Sequence, residues 1–230
     1  MNEVILYSAG MDSHVLAHAF PDAQLVYIDS GARYSKKERE SIKRTAPRDV
    51  TVVDGVLDLS RYEREDAIVP ARNLLLATVA SFYGERIYIG ATAGDNSTDK
   101  DFEFARLAGG VLSHVYDSHH FPGKGEVSIE LPLKNMAKSA LVEWYRGEFG
   151  EADTLAATTS CYSSDDGHCG ACKACLRKWL AFEVNGIALD SMFALNPRDW
   201  DGWQMLVKQI RTGTPWRGAA EDADVLSMFG

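Results

Sequence analysis

Two short stretches carry residue types able to do chemistry. The first is VILYSAGMDS, residues 4–13, an apolar run that ends in Ser8, Ala9, Gly10, Met11, Asp12 and Ser13. Hydroxyls and successive backbone N–H groups in such a turn can converge on an anion, and a helix opening near Ser13 adds the positive end of its dipole. Backbone nests of this kind hold phosphate without a cation. The lysine of the G-x-x-x-x-G-K-[ST] phosphate loop is missing, and an ordinary strand-to-helix turn also favours Gly, Ser and Asp. The second stretch is CYSSDDGHCGACKAC, where Cys161, Cys169, Cys172 and Cys175 follow a C-x7-C-x2-C-x2-C spacing. Four thiolates on a tight knuckle suit a closed structural zinc site that leaves no position for water or substrate. An iron–sulfur centre also takes four thiolates. His168 stands beside the set and is read as a bystander.

These residues need elements to hold them. Short β-branched or aromatic runs at residues 4–7, 25–28, 50–53 and 87–89 read as buried strands. Between and after them, residues 13–20, 35–45, 72–83 and 138–149 have helical spacing or composition. The alternation predicts an α/β fold, a parallel twisted sheet with helices on both faces. Ligands of such sheets sit at the carboxyl ends of the strands, so residues 8–13, 29–34 and 90–99 share one rim. The expected organisation is a nucleotide-binding α/β core over residues 1–150, a four-cysteine zinc-binding region over 151–195 and a C-terminal extension over 196–230. That extension reads as a short helix over 203–210 and then a loop-rich tail. Trp144, Trp179, Trp200, Trp203 and Trp216 are assigned to core and interface packing rather than to base stacking. His119 and His120 are expected in a surface loop.

Charge narrows the partners. Of 230 residues, 33 are acidic and 24 basic, and the net charge of -9 opposes unassisted binding to a phosphate backbone. Direct contact with nucleic acid is therefore not expected. No apolar run approaches the roughly 20 residues of a membrane helix, and no basic-then-apolar leader opens the chain. With its cysteines clustered as for a metal, the chain is expected to be soluble and cytoplasmic, in a reducing compartment, with no membrane partner.

SAGMDS, set directly after the first strand, resembles the SGGxDS signature of the PP-loop ATP pyrophosphatases. Members of that superfamily cut ATP between the α and β phosphates, adenylate an oxygen of the substrate and release pyrophosphate. A turn that grips the departing pyrophosphate stabilises charge where it develops. Ala9 stands where the signature usually has glycine, and its methyl group calls for a negative φ. Together, turn and cysteine cluster resemble the QueC family, the 7-cyano-7-deazaguanine synthases, from the start of the chain to about Gly186. IDSGARY is similar to that family's D-Y-G-Q-R-H region, and VPARN to its V-P-G-R-N. GATAGDNSTDKDFEF resembles D-x-S-G-Y-P-D-C-R-x-E-F, and LPLKNMAKSALVEW resembles the T-P-L-x-x-x-x-K helix start. TTSCYSSDDGHCGACKACLRK matches S-C-Y, C-G-x-C-x-x-C and a following arginine.

The resemblance implies a two-stage conversion of 7-carboxy-7-deazaguanine through adenylated intermediates, first to the amide with ammonia and then to the nitrile. ATP and Mg2+ would be needed, with Zn2+ organising the chain, and the protein would be a homodimer. The nucleotide would rest on Tyr7, Ser8, Ala9, Gly10, Met11, Asp12, Ser13 and His14. Asp12, Arg72 and Lys138 would be catalytic, and Asn73, Asp95, Ser97 and Asp99 would bind substrate, carboxylates being right for the amino and ring N–H donors of the base. Read without the resemblance, Asp12 is a turn residue, Arg72 and Asn73 a solvated helix end, and Lys138 a surface lysine. The rim segment DNSTDKDFEF is shorter than the family's and lacks its tyrosine-proline and cysteine-arginine elements. With Ala9 and the added tail, this raises a second reading in which the reaction stops at 7-amido-7-deazaguanine, as in a specialised or viral member that supplies a base for DNA rather than tRNA. A PP-loop tRNA-modifying enzyme and a non-catalytic zinc-binding module are the remaining alternatives.

Overall fold

The computed structural model describes residues 2–117, 120, 123, 125–163 and 167–230. Strands β1 (Glu3–Leu6), β2 (Gln24–Ile28), β3 (Val50–Val53), β4 (Arg86–Tyr88) and β5 (Ser128–Glu130) form one sheet in the order β3-β2-β1-β4-β5, every neighbouring pair parallel. Strand β1 is central, with Ile5 in register with Leu25 on one side and Tyr88 on the other. Alternate residues of a strand face opposite sides, so Val4 and Ile5, both fully buried, enter different cores. A strand covered on both faces must be apolar throughout.

The helices are α1 (Met11–Ala19), α2 (Ser35–Thr45), α3 (Arg72–Ala80), α4 (Phe102–Tyr116), α5 (Lys138–Phe149), α6 (Asp153–Ala156), α7 (Lys173–Glu183), α8 (Trp203–Arg211) and α9 (Ala219–Phe229). On one face Val4, Val26 and Ile87 pack against Ala77 and Ala80 of α3 and Ala108 and Leu112 of α4. On the other, Ile5 and Leu25 share a core with Leu16, Leu141, Trp179, Phe182, Trp203 and Val225, which draws α1, α5, α7, α8 and α9 together. The fold is α/β with a parallel sheet covered on both faces. Among the described residues no helix is long and apolar enough to cross a membrane.

Several elements depart from the sequence expectation, the short α6 among them. Helix α4 buries only a narrow stripe, Ala105, Ala108, Gly109, Leu112 and Tyr116, while Leu107, Val111 and Val115 are exposed, which blurs its helical period. It starts inside the rim segment because Asp101 caps it, accepting from Phe104 N at 2.7 Å. Strand β5 is three residues long, too short to show a period. Helix α7 is folded into the cysteine knuckle. The loop-rich tail is corrected to α9, whose buried positions include the acids Glu221 and Asp222 and so hide its amphipathic pattern. Trp179 and Trp203 are core residues, Trp203 stacking on Phe229 with centroids 4.5 Å apart, and Trp144, Trp200 and Trp216 pack partly buried against the same core. His120 is exposed; His119 lies outside the described residues.

Candidate active site

Chain order in the sheet reverses between β1 and β4, which opens a crevice at their carboxyl ends. Into it runs the turn after β1. Gly10 caps α1, which begins at Met11, two residues earlier than expected, and so places Asp12 and Ser13 in the first turn. Ser13 Oγ donates to the Gly10 carbonyl at 3.1 Å. Opposite, Gly90 at the end of β4 comes so close that a Cβ there would sit 3.0 Å from Asp12 Cβ.

Ala9 is a correction. Its φ is +52, in the left-handed region, not negative. The surroundings fix this conformation: the Ala9 carbonyl accepts from Ser41 Oγ and Thr159 N, both at 3.1 Å, and Gly10 forms a parallel bridge with Thr159. The methyl group is wholly buried, and its packing offsets part of the backbone strain. Tyr7, Met11 and His14 also send their side chains into the core. Tyr7 Oη and Tyr145 Oη each lie 3.3 Å from a ring nitrogen of His14, and burial pushes that imidazole down to about 4, neutral at pH 7. Tyr7 N–H donates to the Val26 carbonyl and His14 N–H to the Gly10 carbonyl, both at 2.9 Å, so the donors that can meet an anion lie within residues 8–13; Ser8 and Asp12 are the partly exposed side chains of the turn.

Lys138, first residue of α5, donates to Asp12 Oδ1 at 2.5 Å, and the two side chains are only 14% and 17% exposed. Beside them Asp95 is a hub. Its Oδ2 accepts from Thr92 N at 2.9 Å, its Oδ1 from Arg177 Nη1 at 2.9 Å, and Lys100 Nζ stands 3.8 Å away. Burial alone would raise this carboxyl, but Lys100, Arg177 and Lys138 together hold it well below the usual carboxylate range. Lys134 Nζ donates to the Asp95 carbonyl at 2.7 Å. Both carboxylate oxygens are thus engaged within the protein. In a chain of net charge -9, Lys100, Lys134, Lys138 and Arg177 gather on this rim.

A second corner forms at the carboxyl end of β2. Arg72 Nη1 donates to Tyr34 Oη, and Tyr34 and Tyr162 lie with ring centroids 5.4 Å apart. Asn73 Nδ2 donates to the Asp99 carbonyl at 3.1 Å, and the Asp99 and Glu38 charges face the Arg72 guanidinium. Burial pushes Glu38 up to about 7, although Tyr27 Oη donates to it at 3.1 Å and Arg72 is near. Arg72, Asn73 and Asp99 are therefore brought together, as are Asp12 and Lys138, with Asp95 beside them. Ser97 is exposed on the segment that joins the corners. Sequence reasoning missed Glu38, Lys134 and Glu221 altogether. Arg177 was visible only as the arginine after the last cysteine.

The Sγ atoms of Cys161, Cys169, Cys172 and Cys175 all lie within 4.8 Å of one another, and Cys169 and Cys175 are 3.9 Å apart. A zinc tetrahedron with Zn–S of about 2.3 Å has an edge of roughly 3.8 Å, so the four thiols fit that ion. Ser163 N and Cys169 N donate to Cys161 Sγ at 3.4 Å, a setting suited to thiolate. His168 stays outside the set, its ring 5.6 Å from that of Phe193. Just ahead of Cys161, Lys178 Nζ of α7 donates to the Ala156 and Thr158 carbonyls, both at 2.5 Å. Helix α7 thereby holds the segment that carries Thr159, which is bonded in turn to Ala9.

A family model described as queuosine biosynthesis protein QueC matches residues 49–186, more than half of the chain. The chain belongs to the QueC family. Among curated relatives, the 7-cyano-7-deazaguanine synthase of Chlorobaculum parvum is 28% identical over 86% of this chain and 98% of that protein. The synthase of Sulfolobus acidocaldarius is 32% identical over 80% of this chain but 46% of its own length. 7-Cyano-7-deazaguanine synthase 1 of Mesorhizobium japonicum is 25% identical over 92% of this chain and 99% of that protein. The QueC match contains Arg72, Asn73, Asp95, Asp99, Lys138 and all four cysteines. It begins after the turn at residues 8–13 and ends before α8 and α9.

Proposed function

We propose that this chain uses ATP and ammonia to convert 7-carboxy-7-deazaguanine to 7-cyano-7-deazaguanine. The observation that carries the reading is the lysine-free turn at the sheet's reversal point, with the Lys138–Asp12 pair at its mouth. In the first stage a carboxylate oxygen of the substrate attacks the α phosphorus and pyrophosphate leaves into the backbone nest. Ammonia then adds to the acyl carbon, loses a proton, and AMP departs with that oxygen. In the second stage the amide oxygen attacks a second ATP, pyrophosphate leaves, the nitrogen loses its remaining protons, and AMP departs with the oxygen to leave the nitrile.

Each residue has a part in this reading. Backbone N–H groups within residues 8–13 and the Ser8 hydroxyl hold the phosphates, while Tyr7, Ser13 and His14 brace the turn from the core side. Magnesium neutralises the triphosphate when bound; Asp12, the one carboxylate of the turn, would hold it. Lys138 and Arg72 orient the reacting oxygens by charge-assisted hydrogen bonds. Asn73, Ser97 and Asp99 meet the base, while Asp95 braces the rim loop. Zinc, held by the four cysteines, keeps Thr159 on the turn and takes no part in the chemistry. Residues 1–150 form the nucleotide-binding part, 151–195 the zinc region and 196–230 an extension packed on both.

The same reading includes a cytoplasmic homodimer that acts on small molecules and makes no direct contact with nucleic acid. Exposed Ile68, Leu75, Phe82, Leu107, Val111 and Val115 on and around α3 and α4 supply an apolar face for a second copy, which light scattering would detect. Arrest at the amide is the second reading, favoured by the engagement of Asp95 and the short rim loop. Mass analysis of the product formed with ATP in excess decides between them. Nitrile, lighter than the amide by one water, is expected; persistent amide would overturn the two-stage reading, and no product from any deazapurine acid would overturn both.

A further inference from the structure

The segment that leads into α9 lies beyond the QueC match, yet it is tied to the rim loop at three points. Arg177 presents one edge of its guanidinium to Glu221, with Nε donating to Oε2 at 2.8 Å and Nη2 to Oε1 at 2.5 Å. That bidentate grip aims the rest of the fork at the loop, Nη1 at Asp95 Oδ1 (2.9 Å) and Nη2 at Thr92 Oγ1 (3.1 Å). Arg217 Nη1 donates to the Gly94 carbonyl at 3.0 Å, and Asn96 Nδ2 donates to the Trp216 carbonyl at 3.3 Å. A methyl group at Gly94 would collide with the Glu221 carboxylate, so loop and helix are in direct contact.

The segment is itself tied down. Asp222 accepts from the backbone N–H groups of Trp216 and Arg217, and Val225 is fully buried. Two residues after Asp222, Asp224 accepts at 2.7 Å from the Oγ of Ser139, the residue after Lys138. Helix α9 therefore touches both the loop at the carboxyl end of β4 and the start of α5. Glu221 and Arg177 are both almost wholly buried, with side chains 4% and 8% exposed. Two carboxylates converge on one guanidinium, Glu221 on one edge and Asp95 on the other.

We propose that Glu221 is a positioning residue of the active site. Through Arg177 it fixes Asp95 and the loop of residues 92–97 in the geometry that receives the deazaguanine acid. The substrate assignment rests on the function proposed above; the positioning does not.

The test is Glu221→Gln in the full-length, zinc-loaded protein, which keeps the shape and removes the charge. Hydrogen exchange of the loop amides at residues 92–97 should accelerate at least tenfold while the α9 amides keep their protection. KM for 7-carboxy-7-deazaguanine should rise tenfold or more with KM for ATP within twofold of the parent, and Glu221→Asp should restore part of the loss. Unchanged loop exchange overturns the proposal, and so does a loss of protection in α9 equal to that in the loop. Equal rises in both KM values overturn the assignment to the acid. If the parent turns over no acid, the proposed function fails, and the exchange contrast alone decides the positioning role. Should Glu221→Gln not fold, Glu221→Asp keeps the charge and shortens its reach to Arg177, and the same exchange contrast, reduced in size, is required of it.

Discussion

Replacing Ala9 tests whether the signature turn is held as described. Its φ of +52 puts a side chain where glycine would be free of strain, at a cost of about 1–2 kcal/mol. Ala9→Gly would relieve that strain. It would also lose about 0.8 kcal/mol of methyl burial at a wholly buried site. The freer unfolded chain would take back about 0.4–1 kcal/mol more. Gain and loss nearly cancel, so the stability of Ala9→Gly should stay within about 1 kcal/mol of the parent. Ala9→Val keeps the left-handed strain and adds overpacking of about 1–3 kcal/mol plus the penalty of a β-branched side chain at positive φ. A loss of about 3 kcal/mol lowers Tm by roughly 6–12 °C in a domain of this size. Thermal and urea melts of the two variants give the comparison. Ala9→Val melting with the parent would refute the left-handed assignment, and Ala9→Gly gaining more than about 2 kcal/mol would refute the claim that methyl packing offsets it.

Glu38, pushed up from 4.5 to about 7, favours the folded state most below pH 4.5, and that contribution is lost as pH rises through 7. The gap is at most about 3 kcal/mol, cut to about 2 by the solvent that reaches the half-buried carboxyl. Glu38→Gln should flatten the stability profile between pH 4.5 and 7 relative to the parent in urea melts; an unchanged slope would count against the assignment. Zinc in small four-ligand sites contributes about 10–16 kcal/mol of apparent binding, as much as an entire domain's stability of about 5–15 kcal/mol. Chelation should therefore abolish the cooperative melt and speed amide exchange at Thr159 and Gly10, with one zinc per chain by elemental analysis. Lys138→Met should lower kcat/KM by about 10²–10³-fold while the fold, read by circular dichroism, is kept.

How much of this was legible in the sequence depends on where each signal is stored. Strands such as residues 50–53 and helices such as residues 35–45 and 138–149 announce themselves locally, and they fall where the pattern placed them. The cysteine spacing likewise converts directly into sulfur positions, because a knuckle is a local structure. Ala9 misled because positive φ there is imposed from afar, by Ser41 and Thr159 on its carbonyl. Glu221 could not be found at all. Its meaning lies in Arg177 and Asp95, 44 and 126 positions away, and an acid in an acidic helix looks like a solvated face. Asp95 was located on the right rim, but its engagement by Arg177 and Thr92 becomes visible only once α7 packs under the loop.

The central claim is that the lysine-free turn releases pyrophosphate while AMP passes to the substrate. Carboxyl-labelled 7-carboxy-7-deazaguanine, carrying 18O at both oxygens, tests it most directly. After turnover with ATP and ammonia, both labelled oxygens should appear in AMP, one in each of two molecules per nitrile formed, with pyrophosphate unlabelled. Label in inorganic phosphate, with ADP as the nucleotide product, would contradict the account at its root.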